Sequence, residues 1–588
     1  MSNSETPPLR GGFIERPKGL GSAAWNPTGA PWAEGHIWLG RDRAGQAIGC
    51  RDDRHLVTIA GSRAGKGVSS IIPNLALWPG SCLVLDPKGE NAQKTAAFRA
   101  KRPGHKVVVI DPFNVSGVSD ELRGSFNPFD LLNSEDEASI DAAAAISEAL
   151  VVPGDGKDVH WDESARQVIE GLILHLLTTE TGDNIHPGRL RELLTRGDPD
   201  FAEGVANLSG GTASDPFTAL WDYMDAADAP LDAITGIIQG TAGTVRSMGE
   251  NERGSVLSTA RRNTKFLDSP AMVRAFSSST FALDDLKTRD GGLSLYLCLP
   301  ARFIATHARF LRIVLNLTLF RMETARVGSD GDLGRTATGF PVLFVMDEFA
   351  SLGRMEAIEK AAGLMAGYGV KLWPILQDLS QIKRHYRESW ESFLGNAGLL
   401  QFFGNTDLTT LEWLSKRIGE TEVEIETGGT SEAEQVGSGT SDSTTSGTSR
   451  SKTSGSSEGR SSMAPLSAVS ARDSGQGLMG FIGRSGASTV STNEGSSAGE
   501  TVGSSGGTTS GTSTSSSTTT TRSTSRTIHA RPLARINELA RYFDRDTGLQ
   551  LVFVGGGEPL ALKRTPYFRA EEPEFKALRD HLNQSDPV

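Results

Sequence analysis

Residues 56–68 read Leu56-Val57-Thr58-Ile59-Ala60-Gly61-Ser62-Arg63-Ala64-Gly65-Lys66-Gly67-Val68, and this stretch decides the fold. The apolar first half predicts a buried strand, and the glycine-rich second half predicts a loop that ends in Gly65-Lys66 and opens a helix. In such a loop the main-chain N–H groups and the helix N-terminus form an anion site, and the lysine reaches the outer phosphates of a nucleotide. We therefore expect residues 60–68 to bind nucleotide phosphates.

Two positions depart from the usual phosphate-loop pattern. Ala60 stands where a first glycine is usual, and Gly67 stands where a serine or threonine ligates Mg²⁺. Because of these departures, the loop taken alone leaves a phosphate site and a coincidental turn equally open.

A second apolar run, residues 341–346, ends in the carboxylates Asp347 and Glu348. A continuous apolar run of this kind predicts a buried parallel strand. In phosphate-loop ATPases an aspartate at this position holds Mg²⁺ by way of water, and the adjacent glutamate activates the attacking water. The pair therefore favours a nucleotide site over a coincidental turn at Lys66.

A third apolar run, residues 370–376, ends at Gln377. The amide at this strand end is expected either to sense the γ-phosphate or to cap the following helix. The predicted catalytic set is Lys66, Asp347, Glu348 and Gln377, with Asp347 as the metal ligand.

Composition narrows the class of protein. The chain has 588 residues, a net charge of −12 and three cysteines (Cys50, Cys82, Cys298) without paired spacing. This length predicts more than one domain, and the cysteines predict buried thiols in a reducing compartment. The acidic balance argues against a broad electropositive surface, but it leaves room for nucleic acid held by a few basic loops.

No stretch approaches the roughly 18 apolar residues that span a bilayer, and the polar N-terminus does not match a signal peptide. A cytoplasmic protein is therefore expected.

Composition also changes along the chain. Strand and helix patterns alternate over residues 56–112, which predicts a parallel α/β sheet, whereas residues 131–285 carry helical patterns alone. Residues 427–526 contain Ser, Thr or Gly at 66 of 100 positions, so they cannot bury enough apolar surface to offset their chain entropy. The expected organisation is an irregular N-terminal arm (1–50), the first part of an α/β core (51–130), an inserted all-helical domain (131–285), the second part of the core (286–426), a disordered low-complexity segment (427–526), and a C-terminal completion of the core with a tail (527–588).

Further motifs follow one another in a fixed order. They are Leu85-Asp-Pro-Lys-Gly-Glu90, Phe126-Asn-Pro-Phe-Asp130, His160-Trp-Asp-Glu-Ser-Ala-Arg166, Leu257-Ser-Thr-Ala-Arg261, Tyr296-Leu-Cys-Leu-Pro300, Met346-Asp-Glu-Phe-Ala-Ser-Leu-Gly-Arg354, Met365-Ala-Gly-Tyr-Gly369, Gln377-Asp-Leu-Ser-Gln381, Phe402-Phe-Gly404 and Leu414-Ser-Lys-Arg417. Together with the phosphate loop, they make the chain resemble the type IV secretion coupling proteins, the TraG/TraD-type conjugative ATPases, over about residues 50–425 and 527–575.

The resemblance implies a RecA-like ATPase that binds ATP and Mg²⁺ and assembles as a homo-hexameric ring. It implies that Lys66 binds the β- and γ-phosphates and that Asp347 positions Mg²⁺. Glu348 would activate water, and Gln377 would couple the γ-phosphate to motion. The cargo implied is single-stranded DNA with its relaxase, or protein substrates, delivered to a type IV secretion channel, and the helical insertion would recognise relaxosome or effector proteins.

Several points stay open at this stage. The arginine that a neighbouring subunit would supply has three candidates, Arg261, Arg262 and Arg354, and Ser69 is a possible substitute for the metal hydroxyl missing at Gly67. Many members of this family carry N-terminal transmembrane helices and none is visible here, so the protein is expected to reach the inner membrane peripherally, through partners. The alternative functions are a nucleotide-gated adaptor for protein effectors and an FtsK/HerA-like DNA translocase.

Overall fold

The computed structural model describes residues 23–26, 28–151, 159–209, 212–328, 332–441 and 511–585. It divides into two compact units. One unit comprises Trp25–Leu414 and Ile536–Val588, and the other comprises Met1–Ala24 and Ser415–Arg535.

The larger unit is built on one mixed sheet. The strands of the described residues are β1 (Ile37–Arg41), β2 (Ala47–Cys50), β3 (His55–Ala60), β4 (Cys82–Asp86), β5 (Lys106–Ile110), β6 (Leu293–Cys298), β7 (Val342–Met346), β8 (Val370–Leu376), β9 (Ala397–Phe403), β10 (Glu420–Ser441), β11 (Gly511–Pro532), β12 (Leu549–Val554) and β13 (Leu560–Lys563). All of them except β10 and β11 belong to this sheet, in the order β2-β1-β13-β12-β9-β3-β8-β7-β4-β6-β5.

The seven strands from β9 to β5 run parallel, and the four remaining strands extend the sheet in antiparallel fashion. Strands β3, β4, β6, β7 and β8 are buried at every position, because helices cover both faces of a parallel sheet. This burial explains why their sequences are continuous apolar runs. The predicted parallel α/β core is confirmed, and all three cysteines are buried and free.

The helices of the described residues account for the remaining core and for the whole insertion. They are α1 (Ile72–Leu77), α2 (Glu90–Arg99), α3 (Ala138–Leu150), α4 (Val159–Thr179), α5 (Pro187–Arg196), α6 (Pro199–Ser209), α7 (Pro216–Asp225), α8 (Asp232–Ser247), α9 (Glu250–Thr264), α10 (Pro270–Ala275), α11 (Asp285–Thr288), α12 (Ala301–Thr324), α13 (Glu356–Leu364), α14 (Leu379–Tyr386), α15 (Trp390–Gly395), α16 (Leu408–Ile418), α17 (Ile536–Tyr542) and α18 (Pro573–Ser585). A single π-helical turn, Gly67–Ile71, precedes α1.

The described part of residues 131–285 is helical and lies between β5 and β6 in the chain. Four of its helices, α5, α6, α7 and α10, begin with proline, which suits a first helical position because the missing N–H has no intrahelical partner there. The boundaries of the predicted helical domain stay a prediction.

The N-terminal arm differs from the irregular structure expected for residues 1–50. Its described part contains β1 and β2, which pair with each other and, through β13, with the main sheet. Trp38 in β1 is fully buried and packs edge-on against Phe575, with ring centroids 5.3 Å apart. The strands are only five and four residues long, and glycines within them weaken the strand pattern in the sequence.

Helix α12 is, among the described residues, the one helix long and apolar enough to cross a membrane by length and composition. Half of its most apolar window is buried inside the fold. Arginines such as Arg309 and Arg312 interrupt its apolar run, so the sequence did not mark this helix as a membrane span.

The smaller unit contains an antiparallel ribbon of β10 and β11, paired from Glu420 with Pro532 to Ser441 with Gly511. The two ends of the segment expected to be disordered, 427–441 and 511–526, therefore pair as strands. Main-chain hydrogen bonding and the preference of β-branched threonine for strands account for this pairing without an apolar core. The middle of the segment, 442–510, lies outside the described residues.

Asn74 joins the N-terminal strands to the helix that follows the phosphate loop. Its Oδ1 accepts from the Trp38 N–H at 2.7 Å, and its Nδ2 donates to the carbonyls of Trp38 and Ser70 at 3.0 and 2.8 Å. We expect Asn74→Ala to lower the free energy of unfolding by about 2–3 kcal/mol, because it leaves buried main-chain groups unpaired. Urea denaturation measures this loss, with the exposed Asn251→Ala as control. Equal midpoints for the two variants would contradict this role of Asn74.

Candidate functional site

The loop between β3 and the π-helical turn has the shape of an anion cradle. The N–H of Ala64 donates to the carbonyl of Gly61 at 3.2 Å, which closes a tight turn. Arg63 (φ +57°) and Gly65 (φ +86°) both adopt positive φ, so that the chain alternates in hand through the loop. Alternation of this kind directs successive N–H groups toward one concave side, which suits a phosphate.

Gly61 lets the loop lie against the end of β9. A Cβ atom at this position would stand 1.8 Å from the carbonyl oxygen of Gly404. The N–H of Gly61 also donates to the carbonyl of Phe403 at 3.0 Å. The loop is thus fixed from behind by main-chain contacts, and no side chain fits at Gly61.

Lys66 meets the predicted carboxylates at the end of β7. Its Nζ lies 2.9 Å from Asp347 Oδ1 and 2.7 Å from Glu348 Oε1. The sheet produces this meeting, because β3 and β7 both flank β8 in parallel and their C-terminal ends reach the same edge. Glu348 has φ +53°, a left-handed conformation that is unusual for a residue with a side chain.

Gln377, at the end of β8, completes this set of contacts. Its Nε2 donates to Glu348 Oε2 at 3.0 Å, on the opposite side of the carboxylate from Lys66. The Gln377 main chain is held at both ends, since its N–H donates to Gln381 Oε1 at 2.9 Å and its carbonyl accepts from Asn405 Nδ2 at 3.1 Å. Of the two roles open for Gln377, the side-chain contact favours the one at the nucleotide site.

Burial and the neighbouring charged groups shift the pKa values of the three ionisable side chains at this site. Burial raises the pKa of Asp347 in spite of the neighbouring Lys66. Burial also acts to raise the pKa of Glu348, but the hydrogen bond and charge of Lys66, together with the Gln377 amide, outweigh it and leave this pKa lowered. The pKa of Lys66 is raised because the two carboxylates outweigh its burial. Opposite shifts in adjacent carboxylates are typical of sites where the two have separate tasks.

Asp86 is a third carboxylate at this edge, and the sequence analysis assigned it no role. It ends β4, which pairs with β7 so that Leu85 lies opposite Met346. Its Oδ2 accepts from the Ala92 N–H at 2.8 Å, and burial raises its pKa to about 7. The sequence did contain a signal for Asp86, since this residue stands at the end of an apolar run, as Asp347 does.

A metal at this site would depend mainly on Asp347. Gly67 has no hydroxyl, and the Oγ of Ser69 donates to the carbonyl of Gly65 at 2.7 Å. Among the described residues no cluster of three or more His, Cys, Asp or Glu is placed to hold a metal ion. Proteins commonly bind Mg²⁺ through one or two carboxylates together with waters and substrate phosphates, and Asp347 supplies a carboxylate here.

The three candidate arginines lie elsewhere in the chain and have other contacts. Arg261, on α9, donates through Nε to the carbonyl of Leu194 at 2.6 Å. Arg262 is largely exposed and lies 3.6 Å from Asp162, and Arg354 pairs with Glu359 at 3.2 Å. None of these contacts places an arginine at Lys66 of the same chain. A role for one of the three arginines in the site of a neighbouring subunit stays a prediction.

A cleft of about 480 Å³ adjoins the phosphate loop. It is lined by the loop residues Gly61 and Ser62, by Gln377 and Asp378 after β8, by residues 404–407 after β9, and by Asp544, Arg545 and Asp546. These residues come from four separated parts of the chain, and those at 405–407 and 544–546 could not be identified from the sequence because only the fold brings them to the phosphate loop. Arg564, whose Nη1 donates to the Ala64 carbonyl, was missed for the same reason.

Comparisons with known proteins agree with this geometry. Residues 10–465 match the family model described as type IV secretory system conjugative DNA transfer. The conjugal transfer protein TraG of Escherichia coli is 29% identical over 411 residues, which is 67% of this chain and 60% of TraG. Protein VirD4 of Rhizobium rhizogenes is 25% identical over 382 residues, covering 64% of this chain and 51% of that protein. The chain thus spans about 60% or less of the length of these relatives.

Among solved structures, the plasmid coupling protein TrwB in complex with the ATP analogue ADPNP superimposes with a TM-score of 0.53 at 15% identity and covers 93% of each chain. A second TrwB structure, the unbound monoclinic form, also gives a TM-score of 0.53, with 91% of each chain covered. The likeness shows that the chain has the fold of these structures, a RecA-like core with a large, mostly parallel sheet.

The contact at Gly61 predicts a contrast between two glycines of the loop. A Cβ at Gly61 would clash with main chain, whereas a Cβ at Gly67 would meet nothing within 4 Å. We expect Gly61→Ala to lower the free energy of unfolding by at least about 2 kcal/mol, and Gly67→Ala to leave it unchanged or slightly raised. Thermal unfolding without nucleotide measures both, and a tolerated Gly61→Ala would contradict the close approach.

The raised pKa of Asp86 predicts a particular pH dependence of stability. A carboxyl whose pKa rises from 3.8 to about 7 on folding binds more protons folded than unfolded in that interval. Its contribution to stability therefore falls as pH rises from about 4 to 7 and is constant above. We expect Asp86→Asn to gain stability relative to the wild type between pH 5 and pH 8, measured as urea midpoints. The exposed Asp120→Asn should show no such trend, and parallel profiles for Asp86→Asn and wild type would refute the prediction.

Proposed function

The chain belongs to the type IV secretory system conjugative DNA transfer family, and we propose that it is an ATP-hydrolysing coupling protein. It recruits a relaxase–DNA complex, or protein substrates, and delivers it to a type IV secretion channel. The observation that carries the proposal is the contact series Lys66–Glu348–Gln377, with Asp347 alongside, at the edge of the sheet where the phosphate loop opens.

In this proposal the ion pairs of Lys66 are a resting arrangement. Lys66 leaves the two carboxylates and turns to the β- and γ-phosphates, while the loop N–H groups bind the remaining phosphate oxygens. Asp347 would hold Mg²⁺, which would supply positive charge opposite the phosphates. Similarity to TrwB, whose structures include complexes with ADP and Mg²⁺ and with ADPNP, supports the choice of ligands.

Glu348 becomes the water-activating base once Lys66 has moved. The charge of Lys66 holds the pKa of Glu348 down, so departure of the lysine raises the basicity of the carboxylate. Gln377 contacts Glu348 directly and is continuous with α14, so it passes a change at the γ-phosphate to the main chain after β8.

The partners follow from family membership. The similarity to the conjugal transfer protein TraG supports DNA as cargo. In this proposal the cargo is single-stranded DNA with its relaxase, or effector proteins, and residues 131–285 recognise it. The similarity to TraG and VirD4 also supports a homo-hexamer at the inner membrane, in contact with channel components, in which a neighbour's arginine completes the site.

A nucleotide-gated adaptor is the second candidate function. The lack of a hydroxyl at Gly67 and the engagement of Ser69 with the carbonyl of Gly65 favour slow hydrolysis. An adaptor would use nucleotide to control assembly and would not be stimulated by DNA.

The deciding measurement is the ATPase rate of the full chain with and without single-stranded DNA. We expect several-fold stimulation by DNA, and a loss of roughly a hundredfold or more in Lys66→Ala and Glu348→Gln. Glu356→Gln, an exposed glutamate on the next helix, is the matched control and should behave as wild type.

An ATPase rate that is the same with and without DNA would favour protein substrates over DNA as the cargo. Slow hydrolysis that survives Glu348→Gln, with assembly that depends on nucleotide, would replace the motor by the adaptor.

A further inference from the structure

The C-terminal stretch Arg564–Tyr567 touches the phosphate loop on both sides of Lys66. The Nη1 of Arg564 donates to the carbonyl of Ala64, two residues before the lysine. The main-chain N–H of Tyr567 donates at 3.0 Å to the carbonyl of Val68, two residues after it. No sequence motif pointed to these contacts, which join residues about 500 positions apart.

Arg564 is held in place by the C-terminal strands and by β9. Its Nε donates to the carbonyl of Leu549 at 3.3 Å and its Nη2 to the carbonyl of Arg545 at 2.9 Å. The guanidinium also lies over the ring of Phe403, 4.5 Å from its centroid, and the residue is only 8% exposed. The fixed fork of a guanidinium allows this set of contacts, which a lysine could not reproduce.

The contact at Ala64 decides which way a loop peptide faces. The carbonyl of Ala64 and the N–H of Gly65 belong to one planar trans peptide and point in opposite directions. Because Arg564 holds the carbonyl, the Gly65 N–H is turned away from Arg564. A Cβ atom at Gly65 would lie 3.6 Å from Nη1 of Arg564, so the guanidinium packs directly against the loop at Gly65.

The contact at Val68 supplies a hydrogen bond that the helix itself does not make. Pro73 has no N–H, and the N–H of Ile72 is bonded to the carbonyl of Gly67 in the π-helical turn. The carbonyl of Val68 therefore lacks a helical donor, and the N–H of Tyr567 supplies one from outside. The sequence of this helix thus leaves the Val68 carbonyl open to a donor from outside the helix.

We propose that the Arg564 guanidinium and the Tyr567 N–H are positioning groups that hold the phosphate loop in the shape that receives nucleotide phosphates. This inference rests on the proposed nucleotide-binding function and adds the groups that regulate the loop. Both groups contact the main chain of the loop, at the carbonyls of Ala64 and Val68, and act through it.

The test compares two arginines of like chemistry. Arg102 donates to the carbonyls of Ala76 and Trp78 at the far end of α1, and burial lowers the pKa of both arginines to about 10. We expect Arg564→Lys to weaken binding of N-methylanthraniloyl-ADP by roughly tenfold or more and to raise KM for ATP with kcat within about twofold. Arg102→Lys should leave affinity and KM unchanged, whatever it does to the unfolding temperature.

The outcomes separate this inference from the function it rests on. If the wild type fails to bind N-methylanthraniloyl-ADP, the proposed function itself is refuted. If the wild type binds and Arg564→Lys binds equally well, the positioning role alone is overturned, even where the unfolding temperature falls. Tyr567→Pro, which removes the N–H, is a second variant with the same expectation, and unchanged affinity in it would overturn the role of that group.

Discussion

A partly buried lysine is stabilised by opposite charge within reach, and the arrangement of the sheet supplies this charge to Lys66. The loop after β3 and the carboxylates after β7 are almost 300 residues apart in sequence, and they meet because β8 lies between their strands in parallel. The order of the central strands, β3-β8-β7, therefore also sets the order in which Lys66, Gln377 and the carboxylates follow one another along the edge of the sheet. In the proposed function the same interaction makes the site responsive to nucleotide, since a phosphate that replaced the carboxylates at Lys66 would also free Glu348.

The central part of this arrangement could be predicted from sequence because each piece carries a local signal. Doubly buried strands leave continuous apolar runs, and a polar residue directly after such a run marks the edge of the sheet. Asp347, Glu348 and Gln377 were identified in this way, and the structure brings the two carboxylates to Lys66 and Gln377 to Glu348. Their catalytic roles are not fixed by proximity and stay predictions.

Other parts could not be predicted because their cause is tertiary. The strands β1 and β13 are short and lie at the antiparallel side of the sheet, where pairing and not apolar content decides the structure. Arg564 resembles any surface arginine until β12 and β13 bring it behind the loop. The ribbon of β10 and β11 was missed because its composition of Ser, Thr and Gly lacks an apolar face, while its stability comes from main-chain pairing.

The separation of 500 residues between Ala64 and Arg564 also has a consequence in time. A ribosome that adds about 10 residues per second takes roughly 50 seconds to travel from one to the other. During that interval the phosphate loop exists without Arg564 and Tyr567, and also without β8 and β9 for most of it. A nascent chain therefore acquires the complete contacts of its loop only after Tyr567 has been added, about 500 residues after the loop itself.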